Sequence, residues 1–188
     1  MPVLVGGQRI NILACHPTPP VFDGKEKRNL RRNADELRLL RDIVDGADYL
    51  SDDAGSNEPL EDAFIIIGDL NADNRYGDGD RDEIQKLLTH PRIHPSTSTG
   101  SLIPFSKHGS KMGKIVKGNR FATHESGLRL DYVLPSKELE PFASSVICTV
   151  DDLEHIKSCD SNMENMSCFG SDHRLVMVDV VLKSGDIR

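Results

Sequence analysis

The chain has 188 residues, of which 37% are hydrophobic, so it can bury one core and fits a single domain over residues 1–188 better than two domains. Its 30 acidic and 23 basic residues give a formal net charge of −7, which argues against a protein that coats nucleic acid by bulk electrostatics. No apolar run approaches the roughly 18 residues of a membrane span, and the start MPVLVGGQRI lacks the features of a signal peptide, so the sequence assigns no compartment.

The first half of the chain alternates predicted strands and helices. Residues 9–15 (RINILAC) form an apolar run that predicts a strand, which the following segment HPTPP ends. Beyond it, apolar side chains recur at spacings of three and four, which predicts an amphipathic helix over residues 34–48. Asn33 is its predicted N-cap, with Glu36 as the reciprocal capping residue. The continuous apolar run at residues 63–67 predicts a central strand buried on both faces.

The second half contains one helix, two strands and long connections. A short helix is predicted over residues 81–89 after a Gly-rich turn. Residues 96–120 are rich in Ser, Thr, Gly and Lys without a clear period, which predicts a long loop. Strands are predicted at 128–134 and 175–182, with a loop at 149–171 between them. Strands that alternate with helices in this way indicate an α/β domain.

The four cysteines do not suggest a zinc site, because the sequence contains no CxxC pair and no histidine at zinc-finger spacing. Cys15 lies in an apolar run and is interpreted as a buried thiol. Cys159 and Cys168 flank a polar loop, so a disulfide between them and glycosylation at Asn165 are open alternatives if the protein meets an oxidising compartment.

Polar residues stand at the ends of three apolar strands. His16 follows the first strand, Asp69 and Asn71 follow the central strand, and Asp172 and His173 come just before the last strand. Side chains that do chemistry in α/β proteins collect at strand ends, because rigid strands can direct loop side chains into one crevice.

The same residues also have structural explanations when they are taken one at a time. His16 could be a core histidine, Asp69 and Asn71 could form a turn, and Asp172 could cap a turn. Asp131 is harder to explain in this way, because a carboxylate inside an apolar strand is costly unless a cation or donors pair with it. The joint occurrence of these polar residues beside apolar segments favours a functional site.

Weaker signals occur elsewhere. Residues 73–80 (DNRYGDGD) suggest a calcium loop, but no register puts Gly at position six and Glu at position twelve, so Ca²⁺ is only a possible alternative. The basic stretches 25–32 and 107–120 could bind a phosphate-rich substrate, although a solvated loop is the more common explanation. Arg129 and His124 lie near Asp131 in the sequence and are candidate substrate contacts.

The segments GDLNAD, RLDYVLPS and GSDHRLV resemble, in this order, three C-terminal motifs of the endonuclease/exonuclease/phosphatase superfamily. LACHPTPPVFDG, with RRNADELR after it, is similar to a bacterial subgroup of phosphatase- or phytase-like members. The resemblance extends over about residues 10–182. It implies part of the four-layer α/β/β/α sandwich of the deoxyribonuclease-I-like fold, and a hydrolase in which water attacks phosphorus in line.

The resemblance also implies a role for each matching residue. Asp69 would hold or deprotonate the attacking water, and Asn71 would orient water or a phosphate oxygen. His173 would contact the scissile phosphate while Asp131 orients it. His16 resembles a second catalytic histidine, which would protonate the leaving oxygen.

The resemblance implies a metal ligand at Asp172. Oxygen ligands of this kind suit Mg²⁺ or Mn²⁺. In the family an N-terminal half supplies an Asn and a Glu, the Glu being the principal metal ligand, whereas only MPVLVGGQ precedes the first predicted strand here. The expectation is therefore a domain that lacks its N-terminal part, binds the ion weakly, and needs that segment or a partner chain for activity.

Three functions are compatible with these residues. The leading hypothesis is a phosphomonoesterase or phosphodiesterase that acts on a small or extracellular phosphate ester. The second is a nuclease of the same superfamily, which the acidic net charge and the small number of aromatic residues disfavour. The third is a catalytically inactive binding module, which the missing metal segment would support.

Overall fold

The computed structural model describes residues 1–55, 59–106, 113–147 and 171–182. Within these ranges the chain is a mixed α/β structure with two sheets and three helices, which confirms the predicted class and is consistent with the predicted sandwich. In chain order the elements are β1 (Pro2–Val5), β2 (Gln8–Ala14), α1 (Arg28–Asp45), β3 (Ala63–Asp69), α2 (Arg81–Leu88), α3 (Pro95–Ser98), β4 (Asp131–Pro135), β5 (Leu139–Ile147) and β6 (Leu175–Leu182).

The larger sheet has the strand order β1-β2-β3-β4, and the smaller sheet consists of β5 and β6. β2 runs parallel to β3, which requires the crossover that α1 provides, and β4 runs antiparallel to β3. The sequence analysis did not predict β1. It forms a hairpin with β2 through Gly6 and Gly7, whose φ angles of 57° and 82° suit the two-residue turn.

The core lies between the larger sheet and the helices α1 and α2. Phe64 and Ile66 of β3 are fully buried, whereas Ile65 and Ile67 on the opposite face are only partly buried, so the prediction of burial on both faces was wrong for one face. The core residues from the other elements are Leu37, Leu40, Val44, Leu70, Ala72, Ile84, Leu87, Leu88, Ile93, Tyr132 and Leu134.

Helix α1 begins at Arg28, well before the predicted start, so the predicted N-cap was wrong. The carboxylate of Asp23 accepts hydrogen bonds from the first free backbone N–H groups of the helix, those of residues 29 and 30. Asn33 lies inside the helix and is buried, and its amide donates to the carbonyls of Thr18 and Leu70. Glu36 likewise accepts from Thr18. The pattern that resembled a capping box therefore anchors the loop after β2.

The structure differs from the predicted elements at three further places. β4 begins at residue 131 rather than 128, since the Thr123 hydroxyl takes the backbone N–H of Leu130. β5 was not predicted, because Pro141 and two serines interrupt its apolar pattern; it pairs with β6 through a bulge at this proline. The predicted loop at 96–120 also overlaps the short helix α3.

Of the four cysteines and the possible glycosylation site, the structure describes only Cys15. Cys15 is a free, partly buried thiol, and burial raises its pKa to about 11. Cys159, Cys168 and Asn165 lie outside the described residues. None of the described helices has the length and apolarity that crossing a membrane requires.

Gly68→Ala tests the close approach of β3 to the loop after β2. Gly68 has a φ of 143°, and a Cβ added there would lie 1.9 Å from the backbone oxygen of Cys15. Gly118 is the control, because its φ of 80° is also positive but nothing lies within 4 Å of an added Cβ. We expect Gly68→Ala to lower the free energy of unfolding in urea by about 1–3 kcal/mol more than Gly118→Ala does. Equal losses would contradict the proposed steric clash.

Candidate active site

The sheet brings three of the predicted site residues to one edge. β2 and β3 are parallel and end at Ala14 and Asp69, so the loop carrying His16 leaves the sheet beside Asp69. β4 is antiparallel to β3, and its first residue, Asp131, is the cross-strand partner of Asp69. The strand register therefore sets two carboxylates side by side next to the His16 loop.

Asp69 is contacted by two histidines. Its Oδ2 lies 3.3 Å from His16 Nε2 and 3.9 Å from His173 Nε2. Its other oxygen accepts the backbone N–H of Asn71 at 2.8 Å. Asp69 is largely buried, whereas the side chain of His16 is 71% exposed, so His16 stands at the rim of the site.

Asn71 connects the loop after β3 to the loop after β2. Its backbone adopts the left-handed conformation with a φ of 49°, and its side-chain amide donates to the carbonyl of Pro17 at 3.0 Å. This bond lies one residue from His16. Asn71 thus holds the two loops together at the site, in addition to any contact with a ligand.

His173 pairs with Asp131 through its Nδ1, at 2.9 Å from one carboxylate oxygen and 3.2 Å from the other. Because a carboxylate only accepts, Nδ1 carries the proton in this pair. Burial lowers the pKa of His173, but the hydrogen bond and charge of Asp131, with the charges of Asp69 and Asp172, outweigh it and raise that pKa above its ordinary value. Burial also raises the pKa of Asp131, against the lowering effect of hydrogen bonds from Thr123 and His173.

Asp172 lies on the outer side of this group beside His124. The backbones of the two segments pair, since Glu125 N–H donates to the Asp172 carbonyl at 2.9 Å and the histidine pair 124 and 173 forms an antiparallel bridge. His124 Nε2 lies 3.2 Å from Asp172 Oδ2, and its ring centre lies 4.6 Å from that of His173. The hydrogen bond from His124 lowers the pKa of the exposed Asp172 carboxyl.

The tautomer of His124 follows from its other contacts. The backbone N–H of Ser126 donates to His124 Nδ1 at 3.1 Å, so Nδ1 is an acceptor. The proton of the neutral ring is then on Nε2, which donates to Asp172. This geometry connects His124 to Asp172 and gives it no free nitrogen.

Two groups of side chains could hold a divalent cation. Asp69, Asp131 and His173 form one, and His124, Asp172 and His173 form the other; within each, the ligand atoms lie within 4.8 Å of one another. The first group offers two carboxylates and an imidazole, a donor set that fits Mn²⁺ or Mg²⁺. The second has one carboxylate, and the nitrogen of His124 that faces it carries a proton. We therefore regard the carboxylates as the ligands that fit the ion.

Two of the weaker sequence candidates lie elsewhere. The guanidinium of Arg129 is buried and donates to the carbonyls of Thr97 and Ser98, so it does not join the cluster at Asp69. In the segment 73–80, the Asp73 carboxylate accepts backbone N–H groups, and no metal-ligand grouping among the described residues includes this segment.

The sequence analysis missed Thr123. Its hydroxyl accepts the backbone N–H of Asp131 at 3.0 Å and hydrogen-bonds the carboxylate of that residue. Its carbonyl accepts from Arg174 N–H at 2.8 Å. A threonine in a loop without periodicity carries no signal for such a role, which depends on two segments meeting in space.

Comparison with known protein families gives a match over most of the chain. The profile of the endonuclease/exonuclease/phosphatase family matches residues 8–173 of the chain, a range that contains all the residues of the site described above. No curated protein matches the chain significantly.

Asp131→Asn tests the pairing with His173. The change removes the charge that stabilises the imidazolium, so we expect the pKa of His173 in metal-free protein, followed by NMR, to fall. Because the folded pKa of His173 is raised, the stability gained from its imidazolium is present below the unfolded value of about 6.5 and is lost as the pH rises through the folded value. Asp45→Asn, which alters a similar pair with His90, is the control. An unchanged His173 titration would disprove the coupling.

Proposed function

The chain belongs to the endonuclease/exonuclease/phosphatase family, whose members are generally hydrolases of phosphate esters that use divalent metals, and from this premise we propose that it hydrolyses a small phosphomonoester or phosphodiester. The observation that carries this proposal is the position of Asp69 between His16 and His173, with Asp131 behind the latter. Hydrolysis at phosphorus needs a group that holds the attacking water and cations or donors that stabilise the developing charge.

In the proposed mechanism Asp69 holds the water that attacks phosphorus and accepts its proton. Its Oδ2 is directed at both histidines, so a water bound there would lie between them. Asn71 keeps Asp69 in this orientation through its backbone N–H, and its side-chain oxygen, which makes no hydrogen bond to another described residue, is available to a water or a phosphate group.

His173 is proposed to donate a hydrogen bond to a non-bridging phosphate oxygen. Its Nδ1 is occupied by Asp131, which leaves Nε2 for the substrate. The raised pKa of His173 favours the charged ring, and a charged donor stabilises a developing negative charge better than a neutral one. His16 is proposed to protonate the leaving oxygen, since it stands at the exposed rim where a leaving group could depart.

Asp172 is proposed to hold Mg²⁺ or Mn²⁺, with Ca²⁺ as a weaker alternative, and the group of Asp69 and Asp131, which shares His173 with the group of Asp172, adds negative charge that favours the ion. When bound, the ion supplies positive charge to the phosphate oxygens. Within each described group only one or two carboxylates are available, so we expect this chain alone to bind Mg²⁺ weakly. A further carboxylate, as the family pattern implies, would strengthen the site.

The proposed substrate is a small phosphate ester rather than nucleic acid. Support comes from the net charge of −7, which disfavours a long polyanion, and from the resemblance to phosphatase- or phytase-like members of the family. Arg129 does not belong to the cluster at Asp69 and is given no role in the hydrolysis itself, because its guanidinium donates to backbone carbonyls.

His124 is proposed to be a positioning residue that acts through Asp172. Its Nε2–H occupies one carboxylate oxygen of Asp172 and so leaves the other for the metal ion. Hydrogen bonds of this kind orient ligating carboxylates, and their loss typically lowers metal affinity about 10- to 100-fold.

Hydrolysis assays at saturating Mn²⁺ test the catalytic roles. We expect Asp69→Asn and His173→Gln each to lower kcat for bis(p-nitrophenyl) phosphate or p-nitrophenyl phosphate about 100- to 10,000-fold, and a chelator to abolish turnover. His90→Gln is the control, because this histidine pairs with Asp45 away from the site.

The same assays separate the alternative functions. If the protein hydrolysed duplex DNA faster than either ester, its function would be that of a nuclease. Background turnover by the wild type at saturating metal would indicate a catalytically inactive binding module.

Calorimetry with Mn²⁺ tests the role of His124. Leucine at position 124 cannot donate the hydrogen bond to Asp172, so we expect His124→Leu to weaken Mn²⁺ binding about 10- to 100-fold. Gln can place an amide N–H near the position of Nε2, so His124→Gln should recover much of that affinity, and His90→Leu should have no effect. Equal affinity in wild type and His124→Leu would reject the role of His124, whereas no binding by wild type would reject the metal site itself.

A further inference from the structure

A cavity of about 230 Å³ lies between α2, α3 and the loop around residue 120. Polar and charged side chains dominate its lining, among them Asp73, Asn74, Arg75, Asn119 and Arg129. Phe121 adds an aromatic wall. No role in the proposed hydrolysis uses this cavity.

Arg129 brings a buried positive charge to the cavity wall. Only 5% of the residue is exposed, and burial lowers the pKa of its guanidinium. It donates to the carbonyls of Ser98 and Thr97 at 3.0 and 3.1 Å, and no described carboxylate bonds it directly. The carboxylate of Asp73, which lines the same cavity and whose charge acts on Arg129, has its oxygens bonded to backbone N–H groups, including that of Arg129 itself. A buried charge that lacks a direct counter-ion favours an anion in the adjoining space.

Two more arginines stand next to the aromatic wall. The guanidiniums of Arg75 and Arg120 lie 5.5 and 5.3 Å from the ring centre of Phe121, and Arg120 also lies 4.0 Å from that of Phe105. Within the part of the chain that the structure describes, neither arginine forms an ion pair with a carboxylate. A guanidinium that rests on an aromatic face keeps its N–H groups at the ring edge free for a ligand. In a chain of net charge −7, this is a local concentration of unpaired positive charge.

The cavity is connected to the catalytic residues through two short pieces of chain. Asp73 is two residues from Asn71, and Arg129 is two residues from Asp131, so each pair of Cα atoms lies at most about 7.6 Å apart. The bond between Asp73 and the backbone of Arg129 joins these two pieces at 2.8 Å. A ligand in the cavity would therefore lie within the reach of a small molecule from the catalytic carboxylates.

We propose that this cavity binds a second phosphoryl group of the substrate, so that the preferred substrates are small organic esters with two or more phosphates. The inference rests on the proposed function for the cleaved phosphate, but the cavity itself requires only an anion. Arg75 supplies charged donors and the buried guanidinium of Arg129 adds positive charge, and arginine matches phosphate oxygens in geometry as well as charge. Asn74, whose amide nitrogen already bonds Gln85, is a neutral neighbour that adds no repulsion.

Binding of inorganic phosphate to metal-free protein tests the cavity apart from catalysis. Without a metal, the cluster of Asp69, Asp131 and Asp172 repels anions, so the cavity should be the phosphate site. We expect saturable binding, with NMR amide shifts centred on Arg75 rather than on His173. Arg75→Gln should weaken binding about tenfold or more, because a charged hydrogen bond is lost. Arg75→Lys should retain more affinity. Arg38→Gln, an exposed change of equal charge on α1, should bind as wild type does.

Turnover distinguishes a substrate phosphate from free phosphate as the occupant. We expect wild type to prefer a bisphosphate ester over the matching monophosphate in kcat/KM, and Arg75→Gln to reduce that ratio about tenfold while Arg38→Gln leaves it unchanged. Phosphate binding without such a preference would assign the cavity to free phosphate and overturn the substrate inference. Absence of saturable binding, or shifts centred on His173, would overturn the site itself. If no ester is hydrolysed, the proposed function fails and the binding experiment still decides the cavity.

Discussion

The site depends on two carboxylates that the sheet places opposite each other. Asp69 and Asp131 are cross-strand partners at the end of β3 and the start of β4, and both are largely buried. Like charges in this arrangement destabilise a sheet unless a cation or donors neutralise them. His173 meets this requirement by bonding Asp131 through one ring nitrogen while the other faces Asp69. The repulsion between these two carboxylates also favours the binding of a divalent ion. The strand register that places them side by side is therefore the source both of this electrostatic cost and of the proposed chemistry.

Hydrogen bonds between distant segments keep this cluster in place. The loop after β2 is held from one side by Asn33 and Glu36 of α1 and from the other by Asn71. The segment before β4 is tied by Thr123, which bonds both Asp131 and the backbone at Arg174. The two central carboxylates therefore stand on strands, and the other side chains of the site come from loops that are attached to rigid strands and a helix, as a site that must position a phosphate requires.

Three histidines share one local arrangement with different consequences. In His90, His94 and His124 the ring Nδ1 accepts the backbone N–H of the residue two positions later, which leaves the proton on Nε2 facing a carboxylate. At the first two positions, away from the site, the arrangement contributes to local structure. At His124 the carboxylate is Asp172. The same histidine arrangement therefore has a proposed functional role only at His124, because there the ring faces the proposed metal ligand Asp172.

The sequence alone determined which residues stand at strand ends, because an apolar run followed by a charged or polar residue is a local pattern that does not depend on distant partners. Asp69 and His173 could be named in this way, Asp131 could be named as a carboxylate inside an apolar run, and the α/β class followed from the same runs. The start of α1, strand β5 and the bonds of Thr123, His124 and Arg129 could not, because their causes lie far away in the chain. Asp172 is 48 residues from His124, and His173 is 42 residues from Asp131. Only the folded chain brings such groups within hydrogen-bond reach, so the tertiary structure decided which polar residues form the cluster and which, like Arg129, line a separate cavity.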